Sequence, residues 1–292
     1  MKIILSRKGF DSENGGCASP IFPDGRLLSL PIPASKSPTT FDKVNFDDLN
    51  VGNVVEQLTK RRIRRSHFTH LDPDINCASI PREKDWRPAF GQANAAQKHL
   101  QNFKIGKGDL FIFFGWFREV EKSSAGNWRF NPRAPNLHVI YGWLQVDNVL
   151  TIGNNTEKFA SGYPWLSTHP HLHDDFGAEN NTIYIASEHL SIGNQSSTLN
   201  MPGGGVFSKV NRNLTLTDQE QHLRSVWYLP SWFYPYNPNR HRPPLSYHGK
   251  PNRWLERNNG SVGLQTVGKG QEFVLDIEHY PEATEWLKGL FS

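Results

Sequence analysis

Apolar residues fall along this chain in short runs with two rhythms, one suited to strands and one to helices. Asp109 to Phe117, DLFIFFGWF, is a continuous apolar run of strand length. It does not alternate, so both of its faces must be covered, and a central strand is expected. Leu137 to Val146, LHVIYGWLQV, mixes β-branched and aromatic residues over a similar length, which predicts an antiparallel neighbour. Between Gln92 and Phe103 the chain is rich in Ala and Gln, with Ala95, Ala96, His99 and Leu100 spaced for one helical face; Gly106 and Gly108 end that helix. Short strands are expected at Lys2 to Leu5, at Asn181 to Ala186 and at the apolar run that follows Gln271-Glu272. Pro23-Asp24-Gly25 predicts a hairpin turn returning along Leu27 to Ile32. Pro33 to Asn53 reads as an ordered excursion or a mobile loop, Val54 to Arg65 as a helix with a basic end, and Pro281 to Phe291 as an amphipathic closing helix. Repeats and long linkers are absent. The expected architecture is therefore one α+β, β-rich domain over residues 1–292. Its strands at Lys2, Asp109, Leu137 and Phe273 share a mixed, barrel-like sheet with a few peripheral helices.

Composition supports a loop-rich, β-rich chain: 12% aromatic, with 24 Gly and 20 Pro in 292 residues. A formal charge of +4 permits a polyanionic partner without requiring one. Cys17 and Cys77 are too few for a disulfide scaffold and wrongly spaced for a zinc knuckle, which points to a cytoplasmic protein. Neither a signal-peptide core nor an apolar run of roughly eighteen residues occurs, so no membrane association is expected.

Several polar clusters are candidates for chemistry. Arg7, Lys8, Asp11 and Ser12 follow the first strand and precede Gly15-Gly16. Arg7 and Lys8 suit a phosphate, and Asp11 and Ser12 a base or hydrogen-bonding role; the bland reading is a glycine-rich surface turn. Lys60 to Arg65 holds five cations in six residues and suits a nucleic-acid backbone or a solvated helix end. His67, His70, Asp72 and Asp74 make a compact set of acid/base groups or ligands, within a segment that also reads as an Asp-Pro-Asp turn. In the run Thr168 to Asp175, His169, His171 and His173 alternate, as an extended metal-binding segment would require. Pro170 interrupts that pattern, and an exposed histidine-rich loop explains it as well; no metal is assigned. Pro202-Gly203-Gly204-Gly205 lacks the Lys-Ser/Thr end of a phosphate loop. The aromatic, proline-broken run Ser225 to Tyr236 suits base stacking or lid packing. Glu272, beside Gln271 at the mouth of a buried strand, is a further acid/base candidate.

The blocks KIILSRKGFDS, LPIP, HLDPDI, WRPAFGQANAAQKHL, GDLFIFFGWFR, HVIYGWLQV, HPH, LSYH and GQEFVLD with YPEATEWL, in this order, resemble the third nucleotide-modification-associated domain family. The resemblance implies a setting, modified nucleotides or DNA in bacteria and phages, more than a defined reaction, and it leaves the cofactor open. Within its blocks it carries Arg7, Asp11, His70, Asp72, Gln92, His171 and Glu272. The leading expectation is a nucleotide- or DNA-base-modification enzyme in a DNA-modification or phage-defence setting. Its candidate catalytic residues are Asp11, Glu272, His70 and Asp72, and its candidate substrate-binding residues Arg7, Lys8, Ser12, Gln92, Trp116, Trp143 and Gln271. Nucleotide or DNA and other DNA-modification proteins are the expected partners. The two central strands also look like those of PUA-like (EVE and ASCH) barrels, which implies a non-catalytic reader with Trp116, Trp143 and Trp232 walling a base pocket. A fainter likeness to NAD-dependent ADP-ribosyltransferases rests on Arg7 and Gln271-Glu272 alone, without the middle Ser-Thr-Ser motif.

Overall fold

The computed structural model describes residues 1–173, 177–193, 198–218, 223–237, 240–257 and 260–292. Its principal sheet has nine strands: β1 (Lys2–Arg7), β2 (Ser19–Ile21), β3 (Ala89–Gln92), β4 (Leu110–Lys122), β5 (Trp128–Phe130), β6 (Leu137–Thr151), β7 (Thr182–Ala186), β8 (Gly204–Val206) and β9 (Glu272–Asp276). The main path runs β9-β1-β4-β6-β7-β3, with β2 and β5 added to β4 and β8 to β6. β1 is parallel to β4 and antiparallel to β9, and the remaining pairs on the path are antiparallel.

The absence of alternation in β4 has the expected cause. Leu110 to Gly115 are all buried, and alternation begins only where the strand leaves the core and turns back into β5. Phe111 and Phe113 pack with Phe90 and Tyr184 on one face, while Phe114 meets Trp227 and Phe273 on the other. Each fully buried ring of this kind stabilises the fold by roughly 1.5–3 kcal/mol through area removed from water. β6 carries Gly142 because a side chain there would fall 2.8 Å from the Gly205 carbonyl oxygen of β8. A second sheet, Val226–Pro230, Ser261–Gln265 and Trp254–Glu256, contributes Trp227 to the far face.

The sheet is mixed and curled, and its path is not closed. Its edge strands are β9 and β3, and a side-chain hydrogen bond from Gln92 to Glu272, 2.7 Å long, links them where a barrel would have a backbone ladder. The outer edge of β3 is covered by the Asp72–Asp74 segment, whose Asp74 exchanges backbone hydrogen bonds with Ala89.

Helices α1 (Val51–Leu58), α2 (Asn94–Asn102), α3 (Thr156–Gly162) and α4 (Ala283–Leu290) lie around the sheets. α2 and α4 fall where apolar spacing predicts them. α1 stops earlier than the expected Arg65: Thr59 folds its hydroxyl back onto the Val55 carbonyl, and Lys60 and Arg61 take positive φ (52° and 63°). The basic run is thus an exposed turn rather than a helix end. Pro33 to Asn53 is an ordered excursion, because Phe41, Val44 and Phe46 pack with Phe10, Val51 and Val54 in a satellite core. The turn at Pro23-Asp24-Gly25 forms, with Phe22 donating to the Arg26 carbonyl, but its return is a bridge at Leu27 and not a continuous strand to Ile32. No described helix is long and apolar enough to cross a membrane.

Candidate functional site

The open seam between β9 and β3 gathers polar groups from distant parts of the chain. Register sets Ser6 opposite both Glu272 and Phe113, on one face of the sheet, and Lys8 follows just beyond the end of β1. Glu272 is 1% exposed; its Oε1 accepts hydrogen bonds from Lys8 Nζ at 2.8 Å and from Gln92 Nε2 at 2.7 Å. Its Oε2 is buried without a hydrogen-bond partner, as is the Oγ of cross-strand Ser6. Two orphaned buried oxygens on one cross-strand pair ask for a third party to satisfy them. Lys8 Nζ also lies 4.7 Å from the Phe90 ring centroid, so the ammonium is held between a carboxylate and an aromatic face.

An aromatic ledge flanks this seam. His99 of α2 stacks on Tyr247 at 4.4 Å between ring centroids and meets Phe103 at a tilt of 56°, 4.9 Å away. Tyr247 and Phe103 are among the few exposed large rings, 46% and 36% accessible. Tyr247 holds φ at +66°, a conformation disfavoured for an aromatic residue. Burial lowers the His99 pKa, against the opposing field of Glu272, and burial followed by Glu272 raises that of Tyr247. Ser246 Oγ, 3.1 Å from His99 Nε2, accepts from the Val274 amide and so ties this segment to β9.

On the other side of β3 lies a second buried carboxylate. Asp72 Oδ1 accepts from the Gly91 amide at 2.7 Å and lies 3.3 Å from His169 Nε2, while Oδ2 is 3.9 Å from His70 Nε2. His171 Nδ1 meets Asn181 Oδ1 at 2.6 Å, and Asn181 Nδ2 donates to the His171 carbonyl. Burial would raise the Asp72 pKa, but His169, His171 and His70 pull it down to about 2. Burial is the main force holding the His171 pKa near 3, opposed by Asp72 and reinforced by the two neighbouring histidines. Gly91 is required here, since a side chain would come within 2.6 Å of His171 Nε2.

The chain matches the model of nucleotide modification associated domain 3 over residues 2–276. It belongs to that family. No curated protein and no solved structure matches it. The family description fits a nucleotide-related role, and the matched span contains both carboxylates and every residue that holds them.

Against the expectations from sequence, this family member brings Lys8, Gln92, Gln271 and Glu272 together at the seam, with Gln271 exposed and 3.4 Å from Lys8 Nζ. His70, Asp72 and His171 come together at the second cluster. Arg7 is near the seam but its guanidinium donates to the Gly268 and Val267 carbonyls at 2.9 and 2.8 Å, anchoring the turn before β9. Asp11 spends its carboxylate on the Glu13 and Asn14 amides of its own loop, and Ser12 is exposed in that loop. The three indoles are engaged in different places. Trp143 donates to the Pro202 carbonyl and packs on Phe207 and Phe291, Trp116 lies under the Arg224 guanidinium, and Trp232 stacks on Phe233. The histidine run is not an exposed loop: the turn Pro170–Leu172 buries His169 and His171, and only His173 faces outward, bonded to the Ser167 carbonyl. Asp174 and Asp175 lie outside the described residues. His99, Ser246, Tyr247 and Asn181 join the two clusters without having been singled out for a role, and His169 joins as a member of the alternating run. The LSYH block and the histidine run were their available signals.

Proposed function

We propose that the seam is the active site of a nucleotide- or DNA-base-modification enzyme, with Glu272 as its acid/base. The observation that carries this reading is a buried carboxylate clamped on one oxygen by Lys8 and Gln92, with the other oxygen unpartnered and its charge felt by His99 and Tyr247 of the aromatic ledge. A nucleobase suits that ledge: Tyr247 and Phe103 are partly exposed rings, and stacking of a base on one such ring contributes about 1–3 kcal/mol. The unpartnered oxygen of Glu272 is the group that would exchange a proton with the stacked base, and Ser6 Oγ would hydrogen-bond it. Lys8 acts by holding the carboxylate, and a phosphate-binding role for Arg7 has no support in its contacts, which are spent on carbonyls. The same contacts leave the ADP-ribosyl-transfer expectation without a supporting interaction.

A non-catalytic reader of modified bases is favoured by one observation, the exposed ledge itself, and it differs in needing no acid or base. Nucleoside mass spectrometry on cells carrying the gene with its neighbours tests the choice. Wild type should produce an altered nucleoside that Glu272→Gln abolishes, and Tyr247→Ala should lower nucleotide affinity by about tenfold or more. Identical nucleosides from wild-type and Glu272→Gln cells would overturn the enzyme reading. Unchanged nucleotide affinity in Glu272→Gln, with none of its biological effect lost, would favour the reader.

A further inference from the structure

The histidine cluster on the far side of β3 plays no part in the function proposed above. We propose that His70, Asp72 and His171 form a binding site for a divalent transition-metal ion. One atom from each of the first three residues lies within 4.8 Å of the others, a spacing that a single ion can bridge. They come from two separate places: His70 and Asp72 from the segment that runs onto the edge of β3, and His171 from the turn Pro170–Leu172, which Asn181, just before β7, holds.

Three features distinguish this from a casual meeting of polar side chains. His169 accepts the His171 amide at Nδ1 and sets its Nε2 3.3 Å from Asp72 Oδ1, so it orients the carboxylate and the turn that carries His171. Next, the outer contacts are those that orient metal ligands: Asn181 Oδ1 fixes the Nδ1 side of His171, which turns Nε2 toward the cluster, and the Gly91 amide holds Oδ1 of Asp72. Finally, the charge balance is incomplete. Glu272 has Lys8, whereas the groups acting on Asp72 are three imidazoles and no lysine or arginine. A divalent cation seated between the imidazoles would offset the charge of the buried Asp72 carboxylate.

Ligand chemistry narrows the ion. Imidazole nitrogens with a single carboxylate suit borderline ions such as Zn²⁺, Fe²⁺ or Co²⁺ rather than Mg²⁺ or Ca²⁺, which prefer all-oxygen sets. Gly91 contributes by absence, as any side chain there would occupy the seat of the His171 ring.

The test is a titration of the full purified chain with Co²⁺ after chelator treatment, read by visible absorption, with elemental analysis of the protein as purified. One equivalent of Co²⁺ should bind with ligand-field bands and be displaced by Zn²⁺. His70→Gln and His171→Gln should lose those bands, Asn181→Ala should weaken uptake by about 10–100-fold, and His173→Gln should leave it unchanged. His70 is the half-buried ligand, 14% exposed at its side chain, so His70→Gln serves as the deciding variant if His171→Gln does not fold. Failure of the wild type to bind one equivalent, or equal uptake by a folded His70→Gln protein, overturns the site. Glu272→Gln should bind Co²⁺ as the wild type does, so the outcome is independent of the seam chemistry.

Discussion

Two buried carboxylates sit on either side of one short edge strand, and they are neutralised by different means. Glu272 lies at the open seam, where Lys8 supplies a permanent cation and Gln92 a second donor. Asp72 lies at the outer edge of the same strand, where the Gly91 amide and three imidazoles surround it. Gly91 and Gln92 are consecutive, and the pleat sends their side-chain directions to opposite faces. One strand therefore supports both sites, the first through a side chain and the second through the lack of one. The seam pairs a permanent cation with two unpartnered oxygens, whereas the histidine cluster surrounds its carboxylate with an amide and imidazoles.

The contrast is broken most forcefully at Lys8. Lys8→Met leaves a carboxylate that is 1% exposed without its cation, and removing one member of a buried pair costs about 3–5 kcal/mol. Urea unfolding should show that loss, and the double variant Lys8→Met/Glu272→Gln should recover much of it, because the stranded charge is then gone. A loss below about 1 kcal/mol in the single variant would place the pair among weakly coupled surface pairs. Co²⁺ uptake should be unaffected as long as the variant is folded.

A smaller effect sharpens the comparison from the other side. Gly91→Ala places a methyl group against the His171 imidazole, and forced overpacking of this kind costs about 1–3 kcal/mol. The expected result is reduced stability together with loss of the Asp72–His171 arrangement, read by the same Co²⁺ titration. Nucleotide affinity at the seam should fall much less, since Gln92 points the other way. Equal damage to both readouts would show that the strand moves as a unit and that the two sites are one.

How much of this was legible beforehand follows from the range of each signal. The unbroken apolar run of β4 and the aromatic and β-branched run of β6 announced a covered central pair, and β1 and β9 joined it in the expected sheet. These are local patterns. β3 is only four residues long and runs straight into α2, so its Ala-Phe-Gly-Gln reads equally as the approach to a helix. The contact between Gln92 and Glu272 spans 180 residues, and nothing periodic marks such a pair. Alternating histidines suggested an extended segment, but Pro170 opens a tight turn that wraps His169 and His171 around Asp72 and turns His173 away. The indoles misled for a related reason: Trp143 has the composition of a pocket wall and the position of a core residue between Phe207 and Phe291. Tyr247 could not be anticipated, because its exposure depends on a backbone conformation that sequence does not announce.

The smallest effect concerns a histidine that has neither a carboxylate nor a proposed ligand, and so isolates what burial alone does. His138 of β6 is buried against Phe114 and Trp227, and its Nδ1 accepts from the Trp227 indole at 2.9 Å. Burial, aided by the fields of Arg7 and Arg224, holds its pKa near 3, well below the ordinary 6.5. The unfolded chain therefore takes up a proton at this residue below about pH 6.5 that the folded chain refuses until about pH 3. Its contribution to stability is complete above pH 6.5 and is lost as the pH falls across that window. One such proton corresponds to a slope of at most about 1.4 kcal/mol per pH unit. His138→Asn keeps an acceptor for the indole but cannot titrate, so the difference in unfolding free energy between pH 7 and about pH 4.5 should shrink in the variant. The slope should not vanish, because His248 is likewise held near 4 by burial and acts with the same sign. A variant whose stability falls between these pH values as steeply as that of the wild type would mean that His138 is protonated in the folded protein.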